Sequence, residues 1–232
     1  MSEESTAKPN YYNADHDLRG MSKRAFRIEN ESFTIIDNEV GTHGYSELEW
    51  AIVRRVIHAT ADFDFAGKEK ILFQGDVFQS AFGAIKNGCH IVTDVEMVLS
   101  GINKPLAKEL NLKAVCRISD ASVATCSREN NLTRSQVAMD FSASQIQNGI
   151  VSIGNAPTAL LQVISMLREK RAKPALIIGI PVGFVSAPES KKELLRTPIP
   201  CITNIGRKGG SAAASAIINA LMLIYKTGLD RK

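Results

Sequence analysis

The sequence lacks a long hydrophobic run, and this absence bears on where the protein works. No apolar stretch among its 232 residues approaches the roughly 20 residues that a membrane-spanning helix needs, so we predict no membrane association. The first 20 residues are polar and contain no hydrophobic region typical of a secretory signal. We therefore interpret residues 1–20 as a flexible tail and residues 21–232 as one domain.

Cysteines are few, and none stands near another potential metal ligand. The four are scattered singly, without a CxxC pair or a histidine at metal-ligand spacing: Cys89, Cys116, Cys126 and Cys201. This usage is typical of a reduced, cytoplasmic protein, in which cysteine serves as a small hydrophobic residue. We predict no metal site formed by protein ligands.

Motifs for nucleotide binding and for nucleophilic catalysis are also missing. The phosphate-loop pattern GxxxxGK[ST] does not occur, and no GxGxxG follows a predicted strand, which argues against a nucleotide-dependent α/β enzyme. No Ser-His-Asp triad can be assembled, because His16 lies in the tail, His43 in a predicted loop and His90 at a predicted strand start. The formal net charge of +4 suits an anionic ligand, but it is too weak and too dispersed to predict nucleic-acid binding.

What the sequence does contain, from about residue 71 onward, is an alternation of short apolar runs with helical patterns. The runs are near-continuous in hydrophobicity, as expected for strands covered on both faces, and they span 89–94, 113–118, 149–154, 174–180 and 200–205. The helical segment 156–170 has Asn155 as a predicted cap and Pro157 in its first turn. We predict a single α/β domain with a mostly parallel open sheet flanked by helices, Rossmann-like, whose ligands lie at the carboxyl ends of the strands.

One predicted helix, near the start of the domain, carries an unusual polar patch. Ser46 and Glu49 form a capping-box pattern, which predicts a helix beginning near Glu47. Arg55, His58 and Asp62 then follow at spacings i, i+3 and i+7 and are expected to share a face. Arg55 would lower the pKa of His58 and Asp62 would raise it, which would tune a proton donor near neutrality. The alternative is an ordinary solvated surface with a space-filling histidine.

A glycine-rich turn precedes the last helical pattern, in the segment 206–221. Backbone N–H groups at Gly209 and Gly210, with Arg207 and Lys208 beside them, are typical of an anion-binding helix start. A tight turn with no ligand explains the glycines equally well.

Two further helix starts follow predicted strands or loops. Gly183 allows a backbone conformation or a close approach that a side chain would block, and Lys191 lies in the first turn of a helix predicted to begin near Pro188. Thr133 is the predicted cap of another helix, in which Arg134 could meet a carboxylate.

Four segments, in this order and spacing, resemble the precorrin-8X methylmutase family and its cobalt-precorrin-8 relatives: "RVIHAT", "SIGNAPTAL", "GIPVGFVSAPESK" and "GRKGGSA". The resemblance covers about residues 24–224. It implies an isomerase of cobalamin biosynthesis that moves a methyl group from C-11 to C-12 of a corrinoid, giving hydrogenobyrinic acid, or cobyrinic acid when cobalt is in the ring. It also implies an α/β fold, a homodimer with the macrocycle near the interface, a polycarboxylate substrate and product, and no external cofactor.

The resemblance also implies roles for individual residues. The family's catalytic histidine corresponds to His58, its substrate-binding arginine to Arg55, and a substrate-binding serine to Ser32, although Glu31 stands where an arginine is common. Together with the helix starts, the predicted substrate-binding residues are Ser32, Arg55, Arg134, Ser135, Gly183, Lys191, Gly209 and Gly210. The alternative function is a corrinoid-binding or carrier protein without turnover, which conversion of substrate would distinguish.

Overall fold

The structure, a computed structural model, describes residues 22–228, so the predicted tail lies outside the described residues. Its six strands are β1 (Ile71–Gln74), β2 (His90–Thr93), β3 (Lys113–Cys116), β4 (Ile150–Ile153), β5 (Leu176–Gly179) and β6 (Cys201–Asn204). Its α-helices are α1 (Lys23–Val40), α2 (Glu47–Thr60), α3 (Val77–Lys86), α4 (Glu96–Gly101), α5 (Lys104–Glu109), α6 (Ala121–Glu129), α7 (Arg134–Phe141), α8 (Ala143–Ile146), α9 (Pro157–Arg168), α10 (Ala187–Leu194) and α11 (Ser211–Thr227). A 3₁₀ turn, Phe63–Phe65, follows α2.

The strands form one sheet in the order β1-β6-β5-β4-β2-β3. All neighbours are parallel except β1, which pairs antiparallel with β6 at the edge. The predicted mostly parallel α/β sheet is confirmed, and β2 to β6 each fall within one of the five predicted runs. Strand β1 was not among them. It is a four-residue edge strand in which only Ile71 is buried, so it lacks the continuous apolar run that marks the central strands.

Two apolar cores cover the two faces of the sheet, and the central strands contribute alternate residues to each. Ile150 and Ile178 join the core formed with α2, α3 and α11, whereas Val151 and Ile177 join the core formed with α7 and α9. Strands β4, β5 and β6 are buried at every position, which explains why their sequences read as continuous rather than alternating apolar runs. Among residues 22–228, no helix combines the length and the hydrophobicity needed to cross a membrane.

Local capping signals account for several helix starts. The Ser46 side chain accepts the Glu49 amide, and the Glu49 carboxylate accepts the Ser46 amide at 2.8 Å, so the predicted start of α2 at Glu47 is confirmed. Thr133 caps α7 as predicted. Asn155 is not the cap of α9, which begins after Ala156. The reason is long-range, because the backbone amides at this turn donate to a carboxylate from another strand end.

That carboxylate belongs to Asp94, a fully buried residue directly after β2. It accepts backbone N–H groups of Gly154 at 3.1 Å, Asn155 at 2.8 Å and Ala156 at 2.7 Å. Burial raises the pKa of Asp94, while these three donors favour the ionised form and oppose that rise. Asp94 thereby takes the place of a local side-chain cap and joins the ends of β2 and β4.

The two glycines before α11 have left-handed backbone angles but different surroundings. Gly209 has φ +152°, and a Cβ there would lie 2.2 Å from the Ile180 carbonyl oxygen; Gly210 has φ +123°, and a Cβ would meet nothing within 4 Å. Only Gly209 therefore lets two backbone segments approach closely. Gly210 donates its N–H to the same Ile180 oxygen at 2.9 Å, which fixes this approach.

We expect Gly209→Ala to destabilise the protein more than Gly210→Ala. Backbone strain common to both positions should cost on the order of 1–3 kcal/mol of unfolding free energy, and the clash with Ile180 should add about 1–3 kcal/mol at position 209 only. Urea unfolding monitored by circular dichroism would measure both variants. Equal midpoints would show that the contact with Ile180 does not constrain this turn.

Candidate active site

His58 lies in the last turn of α2, with its side chain exposed at the protein surface. One side of its ring packs against Phe33 of α1 in an edge-to-face contact, with the ring centroids 5.3 Å apart and an interplanar angle of 63°. Phe33 is only 4% exposed. The histidine is therefore held by a fixed aromatic ring and still reachable from solvent, as a proton donor to a bound ligand must be.

Two arginine–carboxylate pairs join α2 to α1 around the same phenylalanine. Arg55 donates to Glu29 at 2.9 Å, with the two side chains 15% and 10% exposed. Arg54 donates to Asp37 at 2.7 Å. Both guanidinium groups lie near the Phe33 ring, with their central carbons 5.3 Å (Arg55) and 4.4 Å (Arg54) from its centroid. This packing places the charge of Arg55 one helical turn from His58.

The pKa of His58 lies below its ordinary value. Partial burial is the main cause, because it disfavours the charged ring, and the positive charge of Arg55 adds to it. The expected opposing effect of Asp62 is absent, and the prediction that Asp62 shares the helix face is wrong. Helix α2 ends at Thr60, Ala61 adopts a left-handed conformation with φ 53°, and the chain turns away before Asp62.

The loops after β4, β5 and β6 are joined by backbone hydrogen bonds at the carboxyl edge of the sheet. Gly183 donates to the Arg207 carbonyl at 3.0 Å, and Val182 donates to the Gly154 carbonyl at 3.4 Å. With the bond from Gly210 to Ile180, these contacts bring the predicted residues Gly183, Gly209 and Gly210 to one edge. The edge agrees with the general position of ligand sites in open parallel sheets.

Lys208 connects this edge to the end of α2. Its ammonium lies 2.8 Å from the Asp62 carboxylate and 2.6 Å from that of Asp64, and the pKa of Lys208 is raised by these partners. Its backbone N–H donates to Glu69. The role of Lys208 as a positive charge for an anion at the helix start therefore stays a prediction, and two carboxylates of the chain already offset that charge.

Lys191 has a different position from the predicted surface residue of a first turn. It is 1% exposed, and its ammonium donates to the carbonyl oxygens of Gly206 at 3.0 Å and Lys208 at 2.5 Å. Burial lowers the pKa of Lys191 to about 8, and Glu69 opposes this shift. In this structure Lys191 supports the loop after β6 from beneath, so any effect on a ligand would be exerted through that loop.

The starts of α7 and α9 meet in a cluster of hydroxyl groups. The Ser135 hydroxyl lies 2.9 Å from that of Thr158 and 3.1 Å from that of Thr133. Ser135 is buried, whereas Arg134 beside it is exposed. Of this predicted pair, only Arg134 has a side chain exposed at the protein surface.

Ser32 lies on α1 next to Phe33, and its hydroxyl donates to the Ile28 carbonyl at 2.8 Å within the helix. The structure thus places Ser32 on the helix that packs against His58. Sequence reasoning missed the other α1 residues of this site, Glu29 and Phe33. It also missed the apolar tip of the loop after β5, where Phe184 and Val185 are 82% and 83% exposed. The signal was an aromatic–aliphatic pair within a polar, glycine-containing loop.

Positive charge at this tip comes from Arg207, whose guanidinium carbon lies 5.4 Å from the centre of the Phe184 ring. Both side chains are exposed, so they present a cation beside an apolar surface. Among residues 22–228, no group of three or more histidine, cysteine or acidic side chains is arranged to hold a metal ion.

Comparison with known proteins gives consistent matches. The family model described as precorrin-8X methylmutase matches residues 27–224. The cobalt-precorrin-8 methylmutase of Leptospira interrogans is 45% identical, covering 89% of this chain and 97% of the relative. That of Priestia megaterium is 42% identical, covering 88% and 89%. The solved precorrin-8X methyl mutase of Thermus thermophilus superposes with a TM-score of 0.79 at 36% identity, covering 87% of this chain and 98% of that structure.

The family match spans all six strands and the segments that carry His58, Gly183 and Gly209. The two relatives are also named as methylmutases, and the alignments cover most of their length. The solved structure has the same fold. The chain belongs to the precorrin-8X methylmutase family, a family of isomerases in cobalamin biosynthesis.

Proposed function

We propose that this chain moves a methyl group from C-11 to C-12 of a corrinoid macrocycle, with His58 as the proton donor and Arg55 as a carboxylate-binding residue. The observation that carries the proposal is the pairing of an exposed histidine with a nearby arginine, both fixed by α1, inside the matched family segment. Cobalt-precorrin-8 is the first substrate to test, because two of the most similar relatives bear that name.

The methyl shift requires a polarised conjugated ring. A hydrogen bond or a proton from His58 to the macrocycle would withdraw electron density and ease migration of the methyl group, and the proton would return to His58 once the methyl has moved. Atoms therefore balance, as they must in an isomerisation. General acid catalysis of this kind, in a site that holds the substrate in position, contributes typically about 100- to 10,000-fold.

Substrate binding would also set the charge of His58. In the ligand-free protein its pKa is lowered by partial burial and by Arg55, so the ring is mostly neutral at pH 7. A substrate carboxylate bound near Arg55 would offset that positive charge, and negative groups nearby would raise the pKa of His58. The proton donor would then form chiefly in the complex.

We further propose a homodimer with the macrocycle near its interface, and a cytoplasmic location. The exposed Phe184 and Val185 support a contact surface, because adjacent exposed apolar side chains commonly mark binding sites. The four cysteines, all in the thiol form, support a reducing compartment.

His58→Ala is expected to fold and bind product but to lose turnover by about 100- to 10,000-fold. The test incubates protein anaerobically with cobalt-precorrin-8 and with metal-free precorrin-8X and follows the visible spectrum. His90→Asn, a histidine change at the opposite end of β2, is the control and should retain activity. Near-normal turnover in His58→Ala would remove the histidine from the mechanism. Binding without conversion by the wild type would favour a carrier.

Arg55→Ala is expected to raise KM while kcat changes little, because a residue that binds a remote carboxylate contributes equally to ground and transition states. Steady-state kinetics with the accepted substrate would measure both constants. Arg54→Ala removes the neighbouring guanidinium, which pairs with Asp37, and should lower thermal stability without this rise in KM. A pure fall in kcat for Arg55→Ala would contradict a binding role.

The pH dependence should follow the protonation of His58. Since the acid form is the active one and its pKa in the free protein is below the ordinary histidine value, kcat/KM should fall as pH rises above that lowered pKa. The corresponding fall in kcat should occur at higher pH, because bound carboxylates raise the pKa. Both profiles should lose this step in His58→Ala. A profile that rises with pH through this range would indicate a general base instead.

A further inference from the structure

Helix α1 presents two residues, one turn apart, to the two proposed site residues of α2. Glu29 holds the guanidinium of Arg55, and Phe33, at i+4 from Glu29, packs against the ring of His58. Arg55 and His58 are themselves three residues apart on one face of α2. The four side chains therefore form a compact set in which Glu29 contacts Arg55, while Phe33 packs against both His58 and Arg55.

We propose that Glu29 is a positioning residue for the methyl shift: its carboxylate orients Arg55 and offsets the arginine charge that faces His58. This inference rests on the proposed roles of His58 and Arg55 and adds a third residue that neither the family resemblance nor the motif pattern indicates. Glu29 touches no reacting atom and acts only through its partner.

Because Glu29 and Arg55 are largely buried, the charge of Glu29 acts strongly on the guanidinium of Arg55, which lies 2.9 Å away. The side chains of Glu29 and Arg55 are 10% and 15% exposed, so water screens their interaction much less than it screens surface pairs. Neutralising one member would leave the other as an incompletely compensated charge. For Glu29, that remaining charge would be the guanidinium next to His58, the same group that already disfavours the protonated ring.

A simple structural brace is the competing explanation, since buried ion pairs hold helices in register without any catalytic effect. The second pair between the same helices supplies the comparison. Asp37 accepts from both Arg54 and the Trp50 indole N–H, at 2.7 and 2.9 Å. It joins α1 to α2 as Glu29 does, but Arg54 is not among the causes of the lowered pKa of His58.

Beyond Arg55 and Glu29, the ion pairs that the described residues of α1, of α2 and of the turn after α2 form are Arg54–Asp37, Asp62–Lys208 and Asp64–Lys208. The other charged residues of the two helices are Lys23, Arg24, Arg27, Glu31 and Glu39 on α1 and Glu47 and Glu49 in the first turn of α2. Helix α11 packs along α2 and carries no charged residue before Lys226, which pairs with Glu109. Loss of the Glu29 charge therefore removes the carboxylate that Arg55 contacts at 2.9 Å and leaves the pairs Arg54–Asp37, Asp62–Lys208 and Asp64–Lys208 in place.

The test compares Glu29→Gln with Asp37→Asn, using the pH profile of kcat/KM and the melting temperature. Glutamine retains the shape and an oxygen that accepts from Arg55, but it removes the charge. The high-pH fall of kcat/KM should move to lower pH by about 0.5 to 1 unit, giving a roughly three- to tenfold loss at pH 7. Asp37→Asn should lower the melting temperature without moving the profile.

Glu29→Asp provides the second variant, because it keeps the charge while shortening the side chain. Its profile should lie close to that of the wild type even if its KM rises. A profile unmoved in Glu29→Gln, or moved equally in Glu29→Asp, would assign Glu29 to a purely structural brace and overturn the proposal. The His58→Ala variant tests the proposed function independently of Glu29. If that variant retained turnover or the pH step, the role of His58 would be wrong, whatever the Glu29 variants show.

Discussion

The carboxylate of Asp94 is the constraint on which the carboxyl edge of the sheet depends. It is fully buried, and three successive backbone amides of the turn after β4 donate to it. A buried acid without donors would be strongly destabilising, so these amides and the acid must be placed together. From this point the edge continues by backbone bonds through Gly154, Val182 and Gly183 to the loop after β6. The shape of the site edge therefore follows from an interaction that touches no ligand.

The fold was largely predictable because its strongest signals are local. Strands β2 to β6 are short apolar runs, and the caps of α2 and α7 are set by residues within four positions of each other. Strand β1 escaped prediction because an antiparallel edge strand of four residues is defined by its partner β6, not by its own pattern. The cap of α9 was predicted wrongly, as Asn155, because the group that accepts the amides of this turn, Asp94, lies some sixty residues earlier.

In the candidate site, too, residues close together in the sequence were predicted, and residues brought together from separate segments were not. Arg55 and His58 were recognised because they share one helix turn and one sequence motif. Glu29 and Phe33 are equally close in space, but they belong to another helix, and nothing in the charged sequence of α1 distinguishes Glu29 from its neighbours. Asp62 was misplaced because helical spacing was extended past Ala61, whose left-handed conformation ends the helix. Lys208 and Lys191 were taken as ligand-facing because sequence shows a charge but not its partner.

Because several basic residues pair with groups of the chain itself, the net positive charge does not measure how many cations are available to a ligand. Lys208 forms ion pairs with two carboxylates, and Arg54 forms one with Asp37. Lys191 donates hydrogen bonds to two backbone carbonyls. Arg55 is compensated by Glu29, and Arg134 and Arg207 stand exposed at the surrounding helix and loop starts. A polycarboxylate would thus meet a few oriented guanidinium groups instead of a diffuse positive field. Arginine suits this task because its planar donors match a carboxylate. On the proposed mechanism, the same carboxylates that select these arginines would also favour the protonated form of His58, so recognition and acid catalysis would be coupled through charge.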